Sequence, residues 1–344
     1  MSDRDDPEYL WDKSGEDPDV AKLEHLLGGF AHDAPLREPP ARKPRGRRTA
    51  VIIGAVVMAA AAAILLLLWW RAPERGPTQL AVIADARGAP GFTFEVSGGA
   101  ALCQGSPAHP GTGGFLRVGE WLETDPGATA DVKIADIGEL QLKPNSRLRL
   151  VATGPDQHRL ALERGRLSAR VTAPPRLFVV DSPVATAVDL GCAYDMEVDE
   201  NGRTHVRVTS GSVSLEGHGR TSWIPWGHEA TADRGNGPGT PVRSDAPADF
   251  RAAVARFDAG ENSGGWGTSP PLATIVDGAG KTDAVTLWNL LSRTEGADRA
   301  AVFARLDEVA IRPEWVLEED VLSLQPQALE AWREGLEGTW NLGP

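Results

Sequence analysis

An uncharged apolar run at residues 49–70 constrains this chain more than any other feature of its sequence. The run reads TAVIIGAVVMAAAAAILLLLWW. As an α-helix it would extend about 33 Å, which is enough to cross the hydrocarbon core of a bilayer. In lipid a backbone must satisfy its own hydrogen bonds, and a helix is how a single segment does so. The sequence therefore predicts one transmembrane helix over residues 49–70.

Basic residues flank this run unequally, which predicts its orientation. The basic residues just before it are Arg42, Lys43, Arg45, Arg47 and Arg48, and those just after it are Arg71 and Arg75. The positive-inside rule then keeps the N-terminus in the cytoplasm. We expect a single-pass protein of the inner membrane whose C-terminal part is periplasmic or otherwise extracytoplasmic. A cleaved signal peptide is the alternative, but 48 residues precede the run, far more than a usual n-region.

The charge of the chain argues against direct nucleic-acid binding. Residues 1–40 carry 11 acidic and 4 basic side chains, and residues 71–344 carry 37 acidic and 26 basic ones. Nucleic-acid binding needs a basic footprint. The one basic cluster, residues 41–48, is explained by membrane topology and anionic lipid headgroups.

The N-terminal 48 residues predict a short acidic tail with one amphipathic helix. Asp17 and Pro18 are suited to a helix start, and Gly28-Gly29 to its end. Between and just beyond them lies an apolar stripe at helical spacing, formed by Val20, Leu23, Leu26, Leu27 and Phe30. Such a short helix is marginal alone, so the stripe needs a partner: another protein, a second copy or the membrane surface. A basic, Pro-rich linker follows to residue 48.

Residues 78–246 alternate apolar and polar side chains, which predicts a mainly β domain. Two units resemble each other, because each places a polar corner with a glycine between two alternating stretches. The corners are residues 163–166, around Gly165, and residues 209–212, around Gly211. No helix-length segment lies between these strands, so a small sandwich or β-roll is expected.

The order of several weak motifs in this β region resembles the FecR domain over roughly residues 115–230. The motifs are GEWLET from Gly119, ADVKI from Ala130, IGELQLKPNSRL from Ile137, LERGRL from Leu162, FVVDSP from Phe178, VDLGCAY from Val188 and TSGSV from Thr209. Two positions depart from the family pattern. Cys192 stands where a threonine usually follows the glycine, and residues 226–228 (Trp-Gly-His) replace a usual Gly-Gln corner.

The resemblance implies a single-pass regulator. In the FecR family the cytoplasmic N-terminus binds an extracytoplasmic-function sigma factor and the outer domain relays a signal. Residues 1–48 contain two histidines and no cysteine. Any anti-sigma element here is therefore shorter than in classical members and metal-free.

Residues 247–340 predict a small C-terminal helical module. Residues 247–258 form one amphipathic stretch, residues 260–271 a Gly/Ser linker, and three helical stretches follow. Short connections favour an antiparallel bundle.

The remaining candidates for chemistry are isolated. Cys103 and Cys192 either form a disulfide or stay as two free thiols. Neither Ser182 nor the histidines, including His218 and His228, lies in a catalytic or metal-binding motif, although the latter two could meet across a strand. Asp189 and Asp195 could line one site, but paired carboxylates are frequent in any sequence. Trp223 and Trp226 could stack a sugar, although in a β domain such a pair more often covers a sheet edge. We expect no enzyme, no cofactor and no metal.

Two functional hypotheses remain open. In the first, the outer domain senses a cue or an unknown extracytoplasmic partner and the tail controls a transcription regulator such as a sigma factor. In the second, the β domain is an envelope scaffold that binds a surface polymer or protein, and the tail is passive.

Overall fold

The computed structural model describes residues 88–261 and 269–340, and these belong to one compact unit. The first nine strands are β1 (Gly91–Gly98), β2 (Ala101–Cys103), β3 (Ser106–Ala108), β4 (Gly113–Arg117), β5 (Trp121–Thr124), β6 (Ala128–Ile134), β7 (Gly138–Leu142), β8 (Arg147–Thr153) and β9 (His158–Val171). The other strands are β10 (Phe178–Asp181), β11 (Thr186–Asp189), β12 (Ala193–Val198), β13 (Thr204–Ser210), β14 (Ser212–Gly217), β15 (Arg220–Pro225), β16 (His228–Asp233), β17 (Gly237–Pro238) and β18 (Val242–Arg243).

The strands form two sheets that share strand β9. Sheet I runs in the order β4, β1, β6, β7, β9, β12, β13 and β16, with β17 and β18 against β16. Sheet II runs in the order β3, β2, β5, β8, β9, β10, β11, β14 and β15. All neighbours are antiparallel except β9 and β10. The chain thus crosses repeatedly from one sheet to the other.

One hydrophobic core lies between the two sheets. Phe92 and Leu140 of sheet I and Leu148 and Leu160 of sheet II are fully buried in it. Buried and more exposed residues alternate along β6 and the first part of β8, as the period of two requires, whereas β10 and β14 are buried over most of their length. The predicted β-rich domain is confirmed, and its two faces enclose the core as in a sandwich.

The polar corner around Gly165 was expected to separate two strands, but in the structure it lies within one continuous strand. Residues 158–171 form a single strand whose first half pairs in sheet II and whose second half pairs in sheet I. Gly165 has φ +91°, and a Cβ there would lie 2.5 Å from the Cα of buried Ser146. The Ser146 hydroxyl accepts a hydrogen bond from the Arg166 amide at 2.8 Å and donates to the Arg166 carbonyl at 3.1 Å. The glycine therefore lets the strand bend tightly against Ser146 and change sheets.

Six helices and one 3₁₀ turn follow the β domain in the described residues. They are α1 (Ala248–Asp258), α2 (Pro270–Gly278), the turn Lys281–Asp283, α3 (Ala284–Leu291), α4 (Gly296–Val309), α5 (Glu318–Leu322) and α6 (Pro326–Trp340). Helices α2 and α5 are additions to the predicted set, and α2 begins inside the stretch assigned to the linker. A second hydrophobic core joins these helices, with Trp332 fully buried in it and Trp223 of strand β15 as a member.

The fold class predicted from the sequence is wrong in one component, the single transmembrane helix. Among residues 88–261 and 269–340, no helix is both long and apolar enough to cross a membrane. Even α6 has 15 residues, about 22 Å, and it carries Glu330, Arg333, Glu334 and Glu337. The run at residues 49–70 lies outside the described residues.

Candidate functional site

Two motifs of the β domain meet the helical module at one place, which we name the junction loop (residues 189–192). Leu190 packs against the helical core, whereas Cys192 belongs to the core between the two sheets. The Leu190 amide donates to the Ser212 carbonyl at 3.2 Å. The loop therefore contacts both hydrophobic cores. A change in the packing of one core can be transmitted to the other through it.

Asp189 is the buried acid of the junction loop. Its side chain is fully buried and accepts a hydrogen bond from the Cys192 thiol. Its second carboxylate oxygen has no hydrogen-bond partner within the described residues. Burial raises the pKa of the Asp189 carboxyl to about 6, although hydrogen bonds from the Cys192 thiol and from the amides of Gly191 and Cys192 oppose the rise.

The two cysteines are free thiols in the structure, so the disulfide considered from the sequence is not formed. Burial and then the nearby Asp189 carboxylate raise the pKa of Cys192 well above its usual range. Burial, and to a smaller extent the negative charge of Glu120, raises the pKa of the Cys103 thiol to about 11. Nucleophilic or metal-binding cysteines need a lowered pKa. Both thiols are therefore suited to packing rather than to chemistry.

We expect Asp189→Asn to remove a pH dependence of stability. A carboxyl that titrates near 3.8 when unfolded and near 6 when folded stabilises the protein fully below about pH 3.8 and loses that contribution as the pH rises through about 6. The free energy of unfolding of the native chain should therefore fall relative to that of the variant between pH 4 and 6. The difference should change by at most about 1.4 kcal/mol per pH unit.

Urea denaturation from pH 4 to pH 8 measures this difference. Cys192→Ser is the matched control, since it keeps both the carboxylate and a donor to it, and its profile should follow the native one. Parallel profiles for Asp189→Asn and the native chain would contradict the assignment.

The helical module covers the outer edge of strand β15. The Asn289 side chain accepts from the Trp223 amide at 3.1 Å and donates to the Trp223 carbonyl at 3.2 Å. The Trp223 ring meets Trp288 edge-on at 5.7 Å, and the Arg333 guanidinium lies 5.4 Å from the centre of the Trp223 ring. Trp223 thus closes the edge of the sheet against the helices, and its ring is not free to stack on a ligand.

A buried ion pair holds the same junction together. Arg293 is 5% exposed and lies 3.5 Å from Asp258. Its guanidinium also donates to the carbonyl of Pro238 at 2.9 Å and to the hydroxyl of Ser222 at 2.6 Å. Asp258 in turn accepts from the amide and the hydroxyl of Thr240 at 2.6 and 2.7 Å. Helix α1 and the turn that follows α3 are thereby fixed to the last strands of the β domain.

The other candidates from the sequence are dispersed. Ser182 donates to the Ala185 carbonyl at 2.8 Å within a turn. Asp195 is exposed on β12 and accepts from Ser168 at 2.6 Å, so it shares no site with buried Asp189.

The histidine and tryptophan pairs are likewise separated. His218 lies in the exposed turn before β15, whereas His228 is buried after it, so the two lie at opposite ends of that strand. Trp223 is buried, whereas Trp226 is exposed. Within residues 88–261 and 269–340, no three His, Cys, Asp or Glu side chains are grouped to hold a metal ion.

Sequence reasoning missed Asn289, Arg293 and Asp258. One signal was present: Asn289 is a polar residue inside the apolar stretch LWNLL from Leu287.

The stripe predicted to bind a partner (Val20, Leu23, Leu26, Leu27 and Phe30) lies outside the described residues and stays a prediction.

Comparison with known proteins supports the resemblance seen in the sequence. Residues 120–214 match the family model described as FecR protein, which confirms a FecR domain inside the expected range. No curated protein matches the chain.

Solved structures that resemble part of the chain include the following two. Both are crystal structures of a "putative anti-sigma factor" from Parabacteroides distasonis. The first is 17% identical and covers 40% of this chain, with a TM-score of 0.32, and this chain spans 64% of its length. The second is 16% identical and covers 46% of this chain and 71% of its own, also with a TM-score of 0.32. A TM-score of this size does not establish a shared overall fold.

Proposed function

From the FecR domain at residues 120–214 we infer that this chain is a regulator of transcription that acts through a sigma factor. The match to the FecR family is the observation that carries this proposal, because proteins of that family relay signals to sigma factors. In this chain the β domain receives a cue or a partner and the N-terminal tail engages a cytoplasmic regulator, in the first place an extracytoplasmic-function sigma factor.

The position of the junction loop supports a relay. Residues 188–194 and 209–213 carry two of the family-like motifs, and the structure places both beside the helical module. The Ser212 hydroxyl, in the second motif, lies 3.4 Å from a carboxylate oxygen of Glu337 in α6. A partner that shifts the helices therefore acts directly on these motifs.

The apolar stripe of the tail is the proposed contact with the sigma factor. Introducing Leu23→Asp together with Leu27→Asp into the full-length chain places two carboxylates on the stripe, where burial against a partner would be strongly unfavourable. We expect a severalfold change in transcription of the sigma factor's target genes, measured by RNA sequencing.

A matched control carries Ala21→Asp and His25→Asp, which add the same number of carboxylates to the opposite face of the predicted helix. This control should leave transcription unchanged. Equal responses of the two double variants, or no response of either, would contradict the proposal. The envelope scaffold with a passive tail would then be the better description.

The location of the chain and its non-catalytic role belong to the same proposal. We propose the inner membrane as its location, with the N-terminal tail in the cytoplasm and the β domain outside, because this is the arrangement of the FecR family, whose model residues 120–214 match. Protease accessibility of the β domain in spheroplasts tests this. The raised pKa values of Cys103 and Cys192 make these two thiols poor nucleophiles, which is consistent with a non-catalytic role.

A further inference from the structure

The helical module exposes large apolar side chains on the loop between α4 and α5, which we name the apolar loop (residues 310–317). Ile311 is 87% exposed, Trp315 is 68% exposed and Leu317 is 51% exposed. Single exposed apolar residues are ordinary on soluble proteins, but a cluster within seven residues marks a surface that binds something.

The apolar loop is held in one conformation. Val316 is buried in the helical core, and its amide donates to the Pro313 carbonyl at 3.0 Å. Arg312 pairs with Asp307 at 2.7 Å, donates to the Val316 carbonyl and lies 5.6 Å from the centre of the Phe303 ring. The exposed side chains are therefore presented from a fixed backbone, which lowers the entropy cost of binding.

A cavity of about 720 Å³ lies against this loop. Its lining includes Ile311, Pro313, Lys281, Thr282, Ala284 and Leu336. This volume is large enough to receive one or two large side chains of a partner.

The charge around the apolar loop restricts what it can bind. Residues 307–320 contain six acidic residues and one arginine. Glu314, Glu318 and Glu319 are exposed and form no ion pair with the part of the chain that the structure describes. An anionic lipid surface would be repelled, and a second copy related by a twofold axis would bring like charges together.

We propose that the apolar loop is the docking surface for another protein. The docking segment of that protein places a large apolar side chain against Ile311 and Trp315 and sets lysines or arginines opposite Glu314, Glu318 and Glu319. The proposal concerns residues 310–317 and not the tail stripe, so it does not depend on a sigma factor as output.

Photo-crosslinking in the host cells tests this surface. The full-length chain carries p-benzoylphenylalanine in place of Trp315, and a second version carries it in place of Val151, which is 38% exposed on strand β8. We expect one protein adduct from position 315 that position 151 does not give. Mass spectrometry of the linked peptide should show apolar side chains next to lysine or arginine.

Charge reversal provides the second readout. Glu314→Lys, Glu318→Lys and Glu319→Lys together should lower the yield of the adduct at least about threefold, because each change replaces a weak attraction to a cation of the partner by a repulsion. A control with the same change in net charge reverses Glu95, Asp156 and Glu200, which are exposed on the β domain. It should leave the yield unchanged.

Several results would overturn the proposal. They are the absence of an adduct above the position 151 level, an adduct with a second copy of this chain or with lipid, and an adduct whose yield is the same after charge reversal at the loop. None of them bears on the tail variants, whose readout is transcription.

Discussion

Arg293→Ala is expected to lower the free energy of unfolding by about 3–5 kcal/mol, because it leaves a buried carboxylate without its cation. Asp258 would keep its bonds from Thr240 but lose the guanidinium 3.5 Å away. The carbonyl of Pro238 and the hydroxyl of Ser222 would lose a donor in the same step. Burial already raises the pKa of Asp258 and Arg293 opposes that rise, so the variant should favour the protonated acid.

Urea denaturation followed by tryptophan fluorescence measures this loss, since Trp223 and Trp288 lie at the same junction. Arg256→Ala is the matched control. Its ion pair with Glu261 is 2.7 Å long but exposed on both sides, so it should contribute about 0–1 kcal/mol. Equal losses in the two variants would show that the buried pair does not hold the helices to the β domain.

Gly211→Ala is expected to cost about 2–5 kcal/mol. Gly211 has φ +67°, which an L-residue with a Cβ adopts at a cost of roughly 1–2 kcal/mol. The new Cβ would also lie 2.1 Å from the Gly191 carbonyl oxygen and 3.0 Å from the Cys192 Cα, both backbone atoms of the junction loop. Overpacking of this kind adds roughly 1–3 kcal/mol.

The same denaturation experiment separates the two contributions. Gly219→Ala is the control, because Gly219 has φ +70° and no atom beyond its chain neighbours lies within 4 Å of the place that a Cβ would occupy. It should show the conformational cost alone, about 1–2 kcal/mol. If both variants lose the same amount, then the junction loop does not pack tightly against Gly211.

The strands were predictable from the sequence because alternation is a local property. Residues 132–134, 140–142 and 148–150 lie in strands β6, β7 and β8, as their period of two indicates. The two similar corners were recognised, but their role was not. Both mark a change of sheet, and alternation does not say which sheet a strand joins. That choice depends on partners far along the chain, such as Phe178 beside His158 in the parallel pairing of β9 and β10.

The site was less predictable than the strands for the same reason. Asn289 bonds to a residue 66 positions away, and Arg293 to one 71 positions away. The order of motifs that resembles the FecR family includes the residues of the junction loop, although nothing in it indicated a site there or that helices pack against it. Trp315 was visible in the sequence, but its exposure depends on how the helices on either side of its loop pack, and this packing is not a local property.

The Asn289 side chain supplies strand β15 with hydrogen bonds that a further strand would otherwise make to its edge. The outward amide and carbonyl of Trp223 both bond to one side chain, so the edge of sheet II is closed at this point without another length of backbone. An open edge is a template on which a second molecule can add a strand. The helical module therefore protects the domain against edge-to-edge aggregation, and this protection is a property of the fold whatever partner the protein binds.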